Sequence, residues 1–359
     1  MVTAEKSRQL CNTPYFSIQW HLTNECDQRC QHCYIFQKDV KKPSKELSTR
    51  ECFALIDSII EFCKILEATP TFFLTGGDPL LRKDFFQILE YLFKKNIISR
   101  VMGNPFHLTK ENIHLMRNLG VVSYQLSLDG LEKTHDQIRK IGSYKSTIKG
   151  FELLKEAGMH SVLMFTLSKL NVDDLIGVIE IADSMEINLF SFARYTEQNF
   201  NGLINEQYTQ EMFNPQEYRT ILLNVQNKAR ELQAKGSKTQ ISLKDNLWKL
   251  LLFEQGLWHP IKNNDDRKIF GGCFIGRSGF NILPDGEVYA CRRFYSPIGN
   301  ILEQSVAEIF TSPVFDKYRD IEKIEKCSNC ELLYHCRGCR AAAFSVNGDF
   351  LKPDPQCWR

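Results

Sequence analysis

"YFSIQWHLTNECDQRCQHCYIF", residues 15–36, runs from a strand-like segment straight into three cysteines within eight positions, Cys26, Cys30 and Cys33. Three thiolates do not close a tetrahedral structural zinc site, which takes four ligands. His32 is a poor fourth, because it lies between two of the cysteines it would join. The other reading is a cubane iron–sulfur cluster with one iron lacking a protein ligand, open to a small molecule. Spacing leaves both readings standing. The Gly76-Gly77 pair after the next strand favours the open cluster, since glycines let a ligand approach bare backbone amides.

Outward from this loop, residues 15 to 195 alternate strand-like and helix-like runs. "LSTRECFALIDSIIEFCKIL" reads as a helix opened by a Ser48–Glu51 capping box, and "TFFLT" as a strand ending at Gly76-Gly77. "FFQILEYLFKK" (helix), "ISRVM" (strand) and "KENIHLMRNLG" (helix closed by Gly120) follow. The strands "VVSYQLSL", "SVLMFTL" and "INLFSFA" are separated by the helices "STIKGFELLKEAG" and "VDDLIGVIEIADSM". Six strands with five intervening helices predict an α/β fold with a parallel sheet and right-handed crossovers, a partial (β/α)6 TIM-type barrel. The cysteine loop, "TGGDP", "GNPFH", "SLDG", "SKLN" and "ARYTE" all fall at or just after strand ends, the edge where parallel sheets bind ligands.

The alternation stops at residue 200. "NPQEYRTILLNVQNKARELQAK" is one long helix and "LWKLLLF" a short helix or strand, so 201–268 bridges domains or shapes a substrate groove. "GFNILPDGEVYAC" then reads as a hairpin turned at Asp285-Gly286, followed by two short helices and "CSNCELLYHCRGC". The expected division is 12–200, 201–268 and 269–359.

A hydrophobic content of 43%, a charged content of 25% and a net charge of +2 describe a globular chain without the footprint of a nucleic-acid or membrane-surface binder. No signal core and no spanning apolar run is present, which predicts a cytoplasmic protein. In that compartment thirteen cysteines point to metal ligation over disulfides. Cys52 and Cys63 are different: with Ile56, Ile59 and Leu66 they form an apolar helical stripe and are expected in the core.

Cys26-x3-Cys30-x2-Cys33, with His32 before the last cysteine and "GGDP" at 76–79, resembles the signature of the radical S-adenosylmethionine (SAM) enzymes. His32 stands where that family has Tyr or Phe, and Asp78 where it has Glu. The resemblance implies that the three cysteines hold a 4Fe–4S cluster whose open iron chelates SAM, and that an external reducing donor of flavodoxin or ferredoxin type supplies the electron. It implies cofactor contacts from the His32 backbone, Gly76, Gly77 and Asp78. Ser127 and Asp129 of "SLDG", Arg139 of "HDQIR" and, more weakly, Arg194 complete the expected cofactor set. Against this stand plainer readings, Asp129-Gly130 as a turn and Arg139 as a solvated helix charge.

Farther on, Cys273, Cys291, Cys327, Cys330, Cys336, Cys339 and Cys357 form a second metal pattern with two CxxC pairs, for which one or two zincs is the simpler alternative. Behind such a barrel it resembles the SPASM extension with two auxiliary 4Fe–4S clusters. The resemblance gives Cys327, Cys330, Cys336 and Cys357 to the distal cluster, and Cys273, Cys291 and Cys339 to the nearer one. Fully ligated relatives add a cysteine six positions after the first; here that position is Gly279.

SPASM proteins mostly modify peptides, and some trim tetrapyrroles. An open auxiliary iron suits a substrate thiolate, as in thioether-forming peptide maturases, and "VMGNPFHLT" resembles a stretch of maturases of cysteine- or selenocysteine-containing peptides. Formylglycine-forming sulfatase maturases place Asp where this chain has Arg292. Arg292 and Arg293 would attract an acidic leader or substrate, or sit on a solvated hairpin edge. The first strand begins near residue 15, so leader recognition is expected from a separate partner or from 201–268. No catalytic acid, base or quenching residue stands out.

Overall fold

The computed structural model describes residues 14–36, 45–197, 212–261 and 270–359. Cys11, the first residues of the 12–200 segment and both ends of the 201–268 segment lie outside the described residues.

Along the chain, β1 (Tyr15–His21) leads through the cysteine loop to α1 (Thr49–Leu66) and β2 (Thr69–Thr75). Then come α2 (Phe85–Lys94), β3 (Ile98–Met102), α3 (Lys110–Asn118) and β4 (Val121–Ser127). A pair of helices, α4 (Glu132–Ile138) and α5 (Ser143–Glu156), precedes β5 (Ser161–Leu167), α6 (Leu175–Ser184) and β6 (Leu189–Arg194). Beyond these lie α7 (Pro215–Ala234), a short β7 (Gln240–Ile241) and α8 (Trp248–Glu254). The chain ends with β8 (Gly279–Ile282), β9 (Glu287–Tyr289), β10 (Pro297–Asn300), α9 (Val306–Phe310), α10 (Pro313–Asp316) and α11 (Arg340–Asn347). The expected strand–helix alternation is present. "LWKLLLF" is helical, and α4 is an addition to the expected set: "EKTHDQI" buries only His135 and Ile138, too little for an apolar stripe to show.

The described residues form two compact units that cut across chain order. The first takes residues from Met1–Leu126, Lys145–Ser161 and Phe274–Arg319, and holds strands in the order β10-β9-β8-β1-β2-β3-β4. Its β1–β2, β2–β3 and β3–β4 pairs are parallel, and β8 joins the outer side of β1 in parallel while pairing with β9 antiparallel. The second unit takes Ser127–Tyr144, Val162–Cys273 and Asp320–Arg359; in it β5, β6 and β7 are parallel neighbours.

In the first unit Phe16 of β1 meets Phe62 of α1, Phe280 of β8 and Phe310 of α9 edge-on at 5.6, 5.2 and 5.6 Å. Such pairs add about 0.5–1.5 kcal/mol each beyond their burial. Helix α1 carries the expected Ser48–Glu51 capping box and buries Cys52, Ile56, Ile59, Cys63 and Leu66. Burial pushes the Cys52 thiol up to about 12, so it is an inert core group. Where β8 meets β1, a Cβ on Gly279 would lie 2.0 Å from the Ser17 carbonyl oxygen. Neither cysteine nor any other side chain fits there without parting the two strands.

Candidate functional site

The cysteine loop is seated by backbone contacts at the end of β2. Gly77 N–H donates to the Thr23 carbonyl and Asp78 N–H to the Glu25 carbonyl, both at 2.8 Å. A Cβ on Gly76 would lie 2.3 Å from Thr23 O, and one on Gly77 would lie 2.0 Å from Glu25 O. The Gly77 amide is thus taken by the Thr23 carbonyl, and what approaches both glycines so closely is the cysteine loop itself. Glu46 accepts from the Thr23 hydroxyl (2.8 Å) and Asn24 N–H (3.0 Å). Arg82 braces the loop's entry by donating to the Leu22 and Leu47 carbonyls at 2.7 and 2.6 Å. Inside the loop Cys33 N–H donates to the Cys30 carbonyl (3.0 Å), which turns the chain at the half-buried His32.

Beside the loop lies a buried acid. Asp78 is fully buried; Oδ1 accepts from Leu80 N–H at 3.1 Å, while Oδ2 is buried without a hydrogen-bond partner. Burial raises its carboxyl to about 6, against the smaller opposing pull of the Leu80 N–H, His107 and the Asn104 N–H. An uncompensated carboxylate oxygen fits an ammonium-bearing ligand. Asp27, Asp78 and His107 bring ligand atoms within 4.8 Å of one another. Asn104 completes the cluster: Nδ2 donates to Cys26 Sγ at 3.2 Å and to Asp27 Oδ1 at 3.1 Å. Gly103 makes room for this, since a Cβ there would lie 2.4 Å from the Tyr124 hydroxyl oxygen.

Arg292 departs from the expectation of a solvated hairpin edge. It is buried, with its guanidinium 4.3 Å above the Tyr34 ring and 5.7 Å from that of Tyr289. Arg293 is half-buried. Burial, reinforced by Arg292, holds the fully buried His21 well below the usual imidazole range, and its Nδ1 has no hydrogen-bond partner.

In the second unit "SLDG" is more than a turn. Asp129 is fully buried; its Oδ1 accepts from Thr166 N–H (2.7 Å), its Oδ2 from Arg139 Nε (2.6 Å), and its own N–H donates to His135 Nδ1 (3.0 Å). Arg139 is thereby a half-buried ion-pair partner, not a solvated helix charge, and Ser127 is half-buried at the end of β4. Arg194, at the end of β6, donates to Asp245 and Asp354 at 2.9 and 2.8 Å and to Gln356, and lies 4.6 Å over the Tyr218 ring. The donors that would reach a cofactor carboxylate serve this network. Burial opposes ionisation of Asp354, but Arg194 and the N–H groups of Cys339 and Gln356 hold its carboxyl below the ordinary value.

None of the twelve described cysteines is in a disulfide. Cys327, Cys330, Cys336 and Cys357 line one cavity of about 350 Å³, measured to its open mouth, together with Arg337, Gly338 and Arg359. Gly338 N–H donates to Cys336 Sγ (3.4 Å) and Arg359 to Cys330 Sγ (3.3 Å). Burial raises the Cys327 and Cys357 thiols, and pushes Cys336 up to about 12. Four sulfurs around one space, with N–H donors aimed at them, fit an iron–sulfur cluster, whose irons supply the charge that keeps thiolates ionised.

A parallel strand–helix barrel with cysteines at one strand end and a cysteine-rich extension defines an iron–sulfur α/β enzyme. Residues 20–182 match the Radical SAM superfamily and residues 273–331 the SPASM iron-sulfur cluster-binding domain. The chain carries a radical SAM domain and a SPASM domain; its fold is a partial (β/α)6 barrel with that C-terminal extension, and the cofactors of these domains are an iron–sulfur cluster and SAM. It is 29% identical to an AdoMet-dependent heme synthase of Methanosarcina barkeri, over 95% of each chain. It is 26% identical to the mycofactocin maturase MftC of Mycobacterium ulcerans, over 95% of this chain and 87% of that one. Among solved structures, anSMEcpe with bound AdoMet shares the fold with a TM-score of 0.75 at 18% identity, over 96% of this chain and 91% of that one. Among the described residues no helix is long and apolar enough to cross a membrane.

Asn104, Asp27, Tyr34, His21 and Asp354 carry contacts at these sites that no motif announced. Asn104 left a trace in the polar "GNPFH" at a strand end, while His21, Asp27 and Tyr34 lie within the 15–36 stretch without standing out in it.

Proposed function

We propose that this enzyme is a maturase that modifies a cysteine-containing peptide segment by radical chemistry. Cys26, Cys30 and Cys33 hold the SAM-binding cluster, and Asp78 Oδ2 accepts from the SAM ammonium. His32, Gly76, Gly77, Ser127, Asp129 and Arg139 shape the rest of that cofactor site, Asp129 by fixing Arg139 and the β5 backbone. Arg194 acts as a strut within its own network. Once bound, the cluster and SAM supply a 5′-deoxyadenosyl radical. The chain's own residues bind, orient and exclude water around it. Cys327, Cys330, Cys336 and Cys357 hold the distal auxiliary cluster, and Cys273, Cys291 and Cys339 the nearer one.

The observation that carries the peptide reading is Gly279, whose contact with Ser17 leaves no room for a ligating side chain at that position. The nearer cluster then keeps an iron for a substrate thiolate. In this reading 12–200 makes the radical, 269–359 presents the substrate, and 201–268 or a separate leader-recognition partner guides the peptide; a flavodoxin or ferredoxin reduces the cluster. A second reading, tetrapyrrole modification, draws on the similarity to the heme synthase and on the buried cation Arg292, suited to a substrate carboxylate.

Anaerobic reconstitution followed by metal analysis and 5′-deoxyadenosine assay tests both. About twelve irons per chain are expected for three cubanes. SAM cleavage that rises with cysteine-containing peptides, and fails with their serine analogues, supports the first reading. Turnover of tetrapyrroles alone transfers the assignment to the second. Protein that binds zinc and never cleaves SAM overturns both.

A further inference from the structure

The neutral side chain of Asn104 touches both a cysteine of the loop and the acid beside it. Its side chain is buried, at 7% exposure, with Nδ2 3.2 Å from Cys26 Sγ and 3.1 Å from Asp27 Oδ1. Its carbonyl accepts from the Tyr124 hydroxyl at 3.2 Å, and its own N–H favours the ionised form of Asp78. The main chain of Asn104 therefore serves the Asp78 side of the site, and its side chain serves the sulfur side.

We infer that Asn104 is a positioning residue that tunes the SAM-binding cluster through its amide–sulfur hydrogen bond. This rests on the assignment of Cys26 as a cluster ligand. A donor aimed at a ligating sulfur stabilises the more negative, reduced state of a cluster and so raises its potential. Burial strengthens the effect, because few other dipoles answer the added charge. Asp27 and Asp78 lie on the same side and work against the added electron. An amide is suited to the place. It brings no charge, does not titrate, and its two N–H groups divide between sulfur and the Asp27 carboxylate. Asp would replace both donors by a third negative charge.

Asn104→Leu keeps the side-chain branching and the main-chain contacts while deleting both donors. In the reconstituted full-length enzyme, the SAM-sensitive electron paramagnetic resonance signal should need a more reducing potential to appear. The expected loss is about tenfold in the reduction equilibrium, which is about 59 mV for one electron. SAM affinity should stay within about twofold, since the Asp78 contact is main-chain. Asn104→Asp should lower the potential further. A fully loaded Asn104→Leu cluster with unchanged potential overturns the inference. Should either variant fail to load iron, the wild type decides. With 15N in asparagine side chains, pulsed resonance must detect a nitrogen coupled to the SAM-sensitive cluster, and its absence overturns the inference. A wild type without any SAM-sensitive cluster instead defeats the underlying assignment.

Discussion

The cysteine loop and the distal cysteine cavity use the same ligand atom in opposite electrostatic company. Around the loop stand carboxylates, Asp27 and Asp78, relieved by one neutral amide. Around the distal cavity stand two guanidiniums, Arg337 and Arg359, against one carboxylate, Asp354, and Arg359 donates directly to a sulfur. Negative neighbours make a cluster harder to reduce, and cations make it easier. The charges beside the sulfurs would thus make a cluster held at the loop harder to reduce than one held at the cavity. Chain economy differs as well: eight residues present three thiolates in the loop, while the cavity gathers four from residues 327 to 357.

The sharpest way to break this comparison is Cys30→Ala. SAM cleavage should fall by roughly a thousandfold or more, about 4 kcal/mol in barrier, in a 5′-deoxyadenosine assay. Iron should drop by about four per chain while the distal cluster's spectrum is retained. If both sets of signals vanish together, the sites are not independent.

Next in size is Asp354→Ala, which leaves Arg194 buried with one of its two carboxylate partners gone. Loss of a buried partner costs roughly 3–5 kcal/mol, to be read from denaturant unfolding. Iron should be lost from the auxiliary set first, because Asp354 also accepts from the Cys339 N–H at 2.6 Å.

Asp78→Asn should act in the other direction on stability. Before SAM is added, the Asp78 carboxyl sits at about 6 in the fold, above its ordinary 3.8, so the folded chain holds that proton more tightly than the unfolded chain. Stability is therefore lost as pH rises from the unfolded value through the folded one, by roughly 3 kcal/mol at most. The asparagine variant should be the more stable at pH 8, with the difference closing towards pH 4. Its SAM affinity should be lower at every pH where the wild-type carboxylate is ionised. Equal melting curves at pH 8 would contradict the uncompensated carboxylate.

The smallest effect is expected from Arg359→Gln. That side chain is 36% exposed, so solvent screens it and less than about 1 kcal/mol is at stake. Only the distal cluster's potential should move, downward.

Much of this architecture was legible in the sequence because it is local. Short hydrophobic runs and helical periodicity marked the strands and helices, Ser48–Glu51 marked a helix start, and the stripe through Cys52 and Cys63 told core thiols from ligand candidates. What escaped is long-range. Asn104 reaches Cys26 across 78 positions, and Arg194 reaches Asp354 across 160. Nothing in the spacing of polar residues foretells such pairings. The burial of Arg292 was hidden for a related reason: a hairpin residue next to a cysteine looks exposed until the Tyr34 and Tyr289 rings are in place. Gly76-Gly77 showed that small residues were needed there, but not that the loop's own carbonyls were what needed the space.

Strand β8 adds a consequence for solubility. It hydrogen-bonds along the outer side of β1 from Ser17 to Trp20. Without it, β1 would be an open sheet edge carrying Phe16, Ile18 and Trp20, ready to pair with another chain. The extension thus also guards the barrel against self-association. A fragment cut before residue 273 should aggregate even if its cysteine loop folds, a result light scattering would show.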